Sequence, residues 1–233
     1  MLRIVLTLCL LLPCGILHTQ DFGDRFYPLE GFRSLGIAAG LDDFSPLSSN
    51  TEQESSRVHY NAPTVGIEYR EMNTRVNISY TPYSLQGKNT SSLSILVVSM
   101  YDVPIRISPG NRNWIIPLVL STNYVKAGSP EKSSHDFNIA SIGVGSGLKY
   151  RTIQQLFALQ LQALGIIHYC SEGFGIDNGT SLAAGAEIQF LFPEIVGDGL
   201  VVGYQFMHQQ WTMKNSEWNY KRTTHGPFVG IFF

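Results

Sequence analysis

The sequence predicts an all-β protein: a closed, antiparallel, up-and-down transmembrane β-barrel of ten strands, with eight as the alternative. Three observations carry this. Apolar side chains recur at every second position in segment after segment, the period of a strand with one apolar face. The connections between these segments alternate long and short, so the two ends of the sheet differ. The last seven residues, Pro227-Phe228-Val229-Gly230-Ile231-Phe232-Phe233, alternate apolar and small side chains and stop on an aromatic. Such a strand must be paired along its length, and in a closed barrel its partner is the first strand.

Export comes first in chain order. Arg3 is followed by Ile4-Val5-Leu6-Thr7-Leu8-Cys9-Leu10-Leu11-Leu12, a basic start and an apolar run of signal-peptide size that is too short to span a bilayer as a helix. Residues 1–20 are therefore expected to be a signal peptide, 21–31 a short periplasmic segment and 32–233 the barrel. Leu11-Leu12-Pro13-Cys14-Gly15 could instead be a lipoprotein box acylated at Cys14, but Pro13 stands where a small residue is expected.

The strands then follow in order. Apolar rows occur at Leu35/Ile37/Ala39/Leu41, Val65/Ile67/Tyr69, Val76/Ile78/Tyr80, Leu93/Ile95/Val97/Tyr101/Val103/Ile105/Ile107 and Trp114/Ile116/Leu118/Leu120/Tyr124. They continue at Ile142/Val144/Leu148/Tyr150, Phe157/Leu159/Leu161/Ile167/Tyr169, Leu182/Ala184/Ala186/Ile188/Phe190/Phe192, Leu200/Val202/Tyr204/Phe206 and Val229/Ile231/Phe233. In the eighth row the intervening residues are Ser181, Ala183, Gly185, Glu187 and Gln189; a helix would scatter these two sets around its axis, whereas a strand separates them.

Odd-numbered connections are long and polar: Asp42 to Asn61, Ser84 to Ser92, Lys126 to Phe137, Ser171 to Thr180 and Lys214 to Thr223. Even-numbered ones are short: Glu71 to Thr74, Ser108 to Asn113, Thr152 to Gln155 and Pro193 to Gly199. Short turns on one side and longer loops on the other are the pattern of transmembrane barrels. Aromatics of the apolar rows gather at two levels, Tyr69, Trp114, Tyr150, Phe157, Phe192 and Phe233 toward the short turns and Tyr80, Tyr124 and Tyr169 toward the long loops, as interfacial girdles do. Pro104 and Pro117 interrupt strands four and five; a turn centred near Gly110-Asn111 would set them opposite each other on the inward face and break the ladder there.

Gly143, Gly145, Gly147, Gln160, Gln162, Gly203 and Gln205 occupy the second face with few charges, which suits a crowded lumen better than the solvated exterior of a lipocalin-type barrel. The charges it does carry are Glu68, Arg70, Arg75, Asp102, Arg106, Lys149, Arg151 and Glu187. In so narrow a barrel they either pair into a salt-bridged plug, the favoured expectation, or line a conduit for ions or small solutes. His168 and His208 are expected to point inward, as lumen histidines satisfied by hydrogen bonds. No Ser/His/Asp spacing accompanies them to support a lipid-modifying enzyme.

Composition excludes several classes. Without the signal, 15 basic residues face 18 acidic ones, a balance unsuited to nucleic acid. Cys170 is then the only cysteine, so no internal disulfide and no Cys/His metal cluster is expected, and no cofactor. Asn77, Asn89 and Asn178 each open an Asn-x-Ser/Thr triplet, but Asn77 would point into the barrel, where a glycan has no room. The polar segment Ser48-Ser49-Asn50-Thr51-Glu52-Gln53-Glu54-Ser55-Ser56 in the first long connection does not identify an external ligand.

The signal-like start, the Gly-rich first strand Gly36-Ile37-Ala38-Ala39-Gly40-Leu41-Asp42 and the terminal aromatic together resemble small bacterial outer-membrane barrel proteins of the OmpA/OmpX and PorT-like kind, widespread in Bacteroidota. The resemblance implies a bacterial outer-membrane location, outer-membrane lipid as surroundings, and recognition of Val229, Ile231 and Phe233 by the barrel insertion machinery. It implies no activity; the expectation is a non-enzymatic protein serving envelope integrity or surface interaction through its long loops. A weaker resemblance, to ten-stranded omptin proteases with acidic and histidine pairs at the external rim, rests on Asp42-Asp43 and His135-Asp136.

Overall fold

The computed structural model describes residues 33–47, 57–71, 73–105, 113–128, 136–153, 157–172, 177–193 and 199–233. The expected signal peptide, Cys14, Arg106, Ile107 and His135 lie outside the described residues. Ten strands occur among those described: β1 (Arg33–Pro46), β2 (Tyr60–Glu71), β3 (Thr74–Leu85), β4 (Lys88–Ile105), β5 (Trp114–Ala127), β6 (Phe137–Ile153), β7 (Ala158–Glu172), β8 (Asp177–Pro193), β9 (Gly199–Met213) and β10 (Tyr220–Phe232). Each pairs antiparallel with its neighbours in sequence, and β10 pairs with β1 to close the barrel. The closing register sets Leu35 against Ile231, Ile37 against Val229 and Leu41 against His225, and the Phe233 amide donates to the Arg33 carbonyl at 3.0 Å.

The apolar rows all face outward. Ile37, Val65, Ile67, Val144, Ile167, Leu182, Val229 and Phe233 are among the exposed large apolar residues, and together the rows form a belt around the wall. A water-soluble monomer does not present so large an apolar surface. At its lower edge Trp114 packs on Tyr150, centroids 4.8 Å apart.

The strands outlast this belt, and above it the two faces exchange character. Outward positions become polar: Asp43, Asn61, Ser84, Ser91, Lys126, Asn138, Ser171 and Thr180. Inward positions become aromatic or aliphatic, with Phe44, Tyr60, Tyr83, Val125, Phe137, Trp211 and Tyr220 in one buried cluster. The inversion also corrects the lengths of the long connections. Ser84 to Ser92, expected as a polar loop, is strand on both sides of a two-residue turn at Gln86-Gly87, whose φ angles of 53° and 75° match the primed turns that suit twisted hairpins. In the fifth connection a 3-10 helix, Ser216–Trp218, leads straight into β10.

Two further expectations are corrected by register. Pro104 and Pro117 do not oppose each other: Asp102 faces Pro117, and Pro104 faces Ile115. The β4–β5 ladder is continuous, so the count stays at ten. The cost of Pro117 appears on its other side, where β5–β6 pairing skips from Ile115↔Lys149 to Leu118↔Ser146 and the Ser146 hydroxyl donates to the Pro117 carbonyl at 2.9 Å. His208, expected inward, lies on the outward row of β9 because Val201, Gln209 and Trp211 are the buried, inward-facing residues of that strand.

Glycine permits close approach of neighbouring strands. A Cβ on Gly147 would collide with the Ala163 carbonyl, and one on Gly226 with the Ala39 carbonyl. These positions lie at β6/β7 and at the β10/β1 closure, where the absence of a side chain leaves room for the partner backbone.

Candidate functional site in the barrel lumen

The lumen is filled in tiers, and the lowest is apolar. Ala38, Ala158, Leu191, Val201, Phe228 and Phe232 pack together inside the short-turn end. Directly above, β2, β3 and β8 bring Glu68, Arg70, Arg75 and Glu187 into an alternating ring of charge. Arg70 reaches Glu68 at 2.6 Å and Glu187 at 2.7 Å; Arg75 reaches Glu68 at 2.7 Å and Glu187 at 2.7 Å. Each guanidinium thus joins both carboxylates, and the four charges cancel. Gln205 accepts from Arg75, Gln189 donates to Glu187, Asn77 donates to Glu68 at 3.4 Å, and the Phe228 ring lies under the Arg70 guanidinium, 4.7 Å from its centroid.

The other expected lumen charges sit beside this ring. Lys149 donates to both oxygens of Asp102 at 2.6 and 2.9 Å, and Arg151 donates twice to the Gln160 amide oxygen at 2.8 and 3.1 Å. All seven described members of the predicted polar set therefore point inward and are hydrogen-bonded there. Pairing is what makes their burial tolerable, because an unpaired ion in so small a volume would carry a desolvation cost of several kcal/mol.

Above the ring lies a cavity of about 100 Å³. His168 lines it, held between Ser121 at 3.3 Å and Ser181 at 3.2 Å. Gln209 donates to Ser181 at 2.8 Å and accepts from Asn123 at 2.7 Å. Leu96, Leu164 and Met207 pack against an apolar cluster in the same stretch of lumen. Cys170, also inward, is buried and free of any disulfide among the described residues.

An ion pair absent from the sequence-based expectations closes the cavity. Arg222 grips Asp42 through two hydrogen bonds of 2.8 Å, while Thr81 and Tyr60 donate to the same carboxylate at 2.8 and 3.1 Å. Asp42 is fully enclosed and its neighbour Asp43 faces outward, so the two adjacent carboxylates stand on opposite sides of the wall. They cannot serve as a pair at the rim. Asp136 bridges Lys126 at 3.8 Å in an exposed position.

The aromatic cap completes the filling. Phe44 stacks on Tyr60 at 5.4 Å and Tyr220 at 4.8 Å, Phe137 meets Phe44 and Trp211 edge-on at 4.8 and 5.3 Å, and Tyr60 stacks on Tyr83 at 4.2 Å. Among the described residues no group of three His, Cys, Asp or Glu side chains could hold a metal ion.

No family model matches the chain, and no curated protein does. Among solved structures it is similar to Ail, the attachment invasion locus protein of Yersinia pestis, in complex with the heparin analogue sucrose octasulfate. That match has 15% identity over 88% of this chain and 100% of the other, with a TM-score of 0.32. It is also similar to outer membrane phospholipase A from Escherichia coli, with 9% identity over 91% of this chain and 94% of the other, TM-score 0.27. The same enzyme from Salmonella typhi, a dimer with bound calcium, gives 10% identity, coverages of 88% and 94% and a TM-score of 0.24. These are distant likenesses of fold, and the architecture stands on the strand pairing itself.

Proposed function

We propose that this chain is an integral protein of a bacterial outer membrane, exported by its first 20 residues, whose barrel is a closed post rather than a pore. It serves envelope integrity or surface interaction through the connections at its long-loop end, without an enzymatic activity. The belt of exposed apolar side chains, ending at one level where the faces exchange character, supports burial of the wall in lipid. In such a belt backbone groups are satisfied only by a closed sheet. Val229, Ile231 and Phe233 form the lipid-facing row of the last strand, and the insertion machinery would read them there.

The filled lumen carries the non-conducting part of this proposal. An apolar floor, a neutral ring of two guanidinium and two carboxylate groups, the Asp42–Arg222 pair and an aromatic cap follow one another along the axis. An ion crossing it would have to separate paired charges and then pass stacked rings whose few hydroxyls do not replace its hydration. Planar bilayers containing the refolded protein test this: the baseline should stay flat, and steady, reproducible conductance steps would replace the post with a narrow channel.

A further inference from the structure

Near its upper edge the outward belt is broken by a polar notch on β9 and β10. On β8 its upper part carries Ala184 and Leu182 and on β1 Leu41, yet between them β9 and β10 present His208, Gln210, Thr223 and His225. The register makes these direct neighbours: His208 faces Ala184, Gln210 faces Leu182, and His225 faces Phe206 on one side and Leu41 on the other. The notch is thus cut into the apolar belt rather than lying above it. Polar and ionisable groups exposed to hydrocarbon are costly and mark sites of function.

Both imidazoles are oriented the same way. Thr223 lies 2.9 Å from Nδ1 of His208, and the Tyr204 hydroxyl lies 2.7 Å from Nδ1 of His225. With the hydroxyl as donor to Nδ1, each ring keeps its proton on Nε2, and in that tautomer β9 and β10 each set one N–H donor on the outward face. At the upper edge of the notch Asp43, the register partner of Thr223, sets a carboxylate on β1, and Lys221 sets an ammonium on β10. The notch offers donors for an anion, one fixed cation and one fixed anion, bordered by Phe206 and Leu41.

We propose that this notch binds one zwitterionic phospholipid. Its phosphate oxygens accept from the two Nε2–H groups and Lys221, its ammonium faces Asp43, and its acyl chains run down the apolar wall. An anionic headgroup could give its phosphate to Lys221 in the same way but brings no ammonium to Asp43. The inference rests on the membrane-embedded barrel proposed above.

Native mass spectrometry of the detergent-extracted protein, titrated with phosphatidylethanolamine or phosphatidylglycerol, tests it. The wild type should retain one phosphatidylethanolamine in preference to phosphatidylglycerol, and excess inorganic phosphate should not displace it. His208→Leu/His225→Leu should retain about tenfold less, and Asp43→Asn should lose the preference between the two lipids while both variants keep heat-modifiable migration. Equal retention by the double variant, no headgroup preference in the wild type, or displacement by inorganic phosphate would each overturn the site. A heat-modifiable barrel that ignores phospholipid defeats the notch alone, whereas a chain recovered soluble without detergent defeats the membrane reading as well.

Discussion

Glu187→Gln should be the most damaging single charge change in the lumen. Glu187 accepts from Arg70 and Arg75, both at 2.7 Å, so neutralising it leaves two guanidinium groups to share Glu68 and gives the ring a net positive charge. Removing one partner of a buried ion pair costs about 3–5 kcal/mol. The Glu187 side chain is 5% exposed, but those of the arginines are 14–18% exposed, so some solvent reaches the orphaned charges and the lower end, about 3 kcal/mol, applies. In urea unfolding from phospholipid vesicles, followed by heat-modifiable migration, a slope of about 3 kcal/mol per molar puts the midpoint about 1 M lower. Adding Arg75→Gln restores neutrality and should recover about 1 kcal/mol relative to the sum of the single changes. A Glu187→Gln midpoint within about 0.2 M of wild type would refute the electrostatic account of the plug.

Three further outcomes follow from the packing. Phe44→Ala removes the ring at the centre of the cap, fully buried against Tyr60, Phe137 and Tyr220, and should lower stability by about 3–5 kcal/mol in the same unfolding assay. Gly226→Val drives a side chain into the Ala39 carbonyl across the closing seam and should abolish the folded, fast-migrating form, whereas Gly165→Ala, where a Cβ meets open space, should leave it unchanged. Phe233→Ala keeps the backbone bond to Arg33 but deletes the last outward ring; the amount of barrel inserted in cells should fall, while the inserted molecules unfold at nearly the wild-type midpoint.

The belt was legible in the sequence and the cap was not, for one physical reason. Below the inversion apolar side chains keep one parity per strand, as Leu35 to Leu41 or Leu182 to Phe192 do, so strand and outward face are read together. Above it the apolar residues change parity, from Leu41 to Phe44, from Tyr80 to Tyr83 and Leu85, from Phe206 to Trp211 and Met213. The polar residues between them then resemble loop. Arg222 was missed on the same account, lying in a stretch assigned to a connection, and with it the partner that encloses Asp42. Opposite-parity aromatics flanked by Ser, Thr and Asn were the signal available. Lumen charges were legible because parity alone aims Glu68, Arg75, Lys149 and Glu187 inward, but which of them meet depends on side-chain reach across the lumen between strands distant in sequence, which no local pattern records. His208 was misplaced although it shares the parity of Tyr204 and Phe206.

Spin-label accessibility along β8 tests the central claim most directly. With Cys170→Ser as background, labels at Ala184, Ile188 and Phe190 should relax readily with oxygen and weakly with a water-soluble nickel chelate, while labels at the inward Ala183, Gly185 and Gln189 should be shielded from both. Access of the nickel chelate to the inward set would show an open lumen, and its access to the outward set would show that the apolar belt does not face lipid.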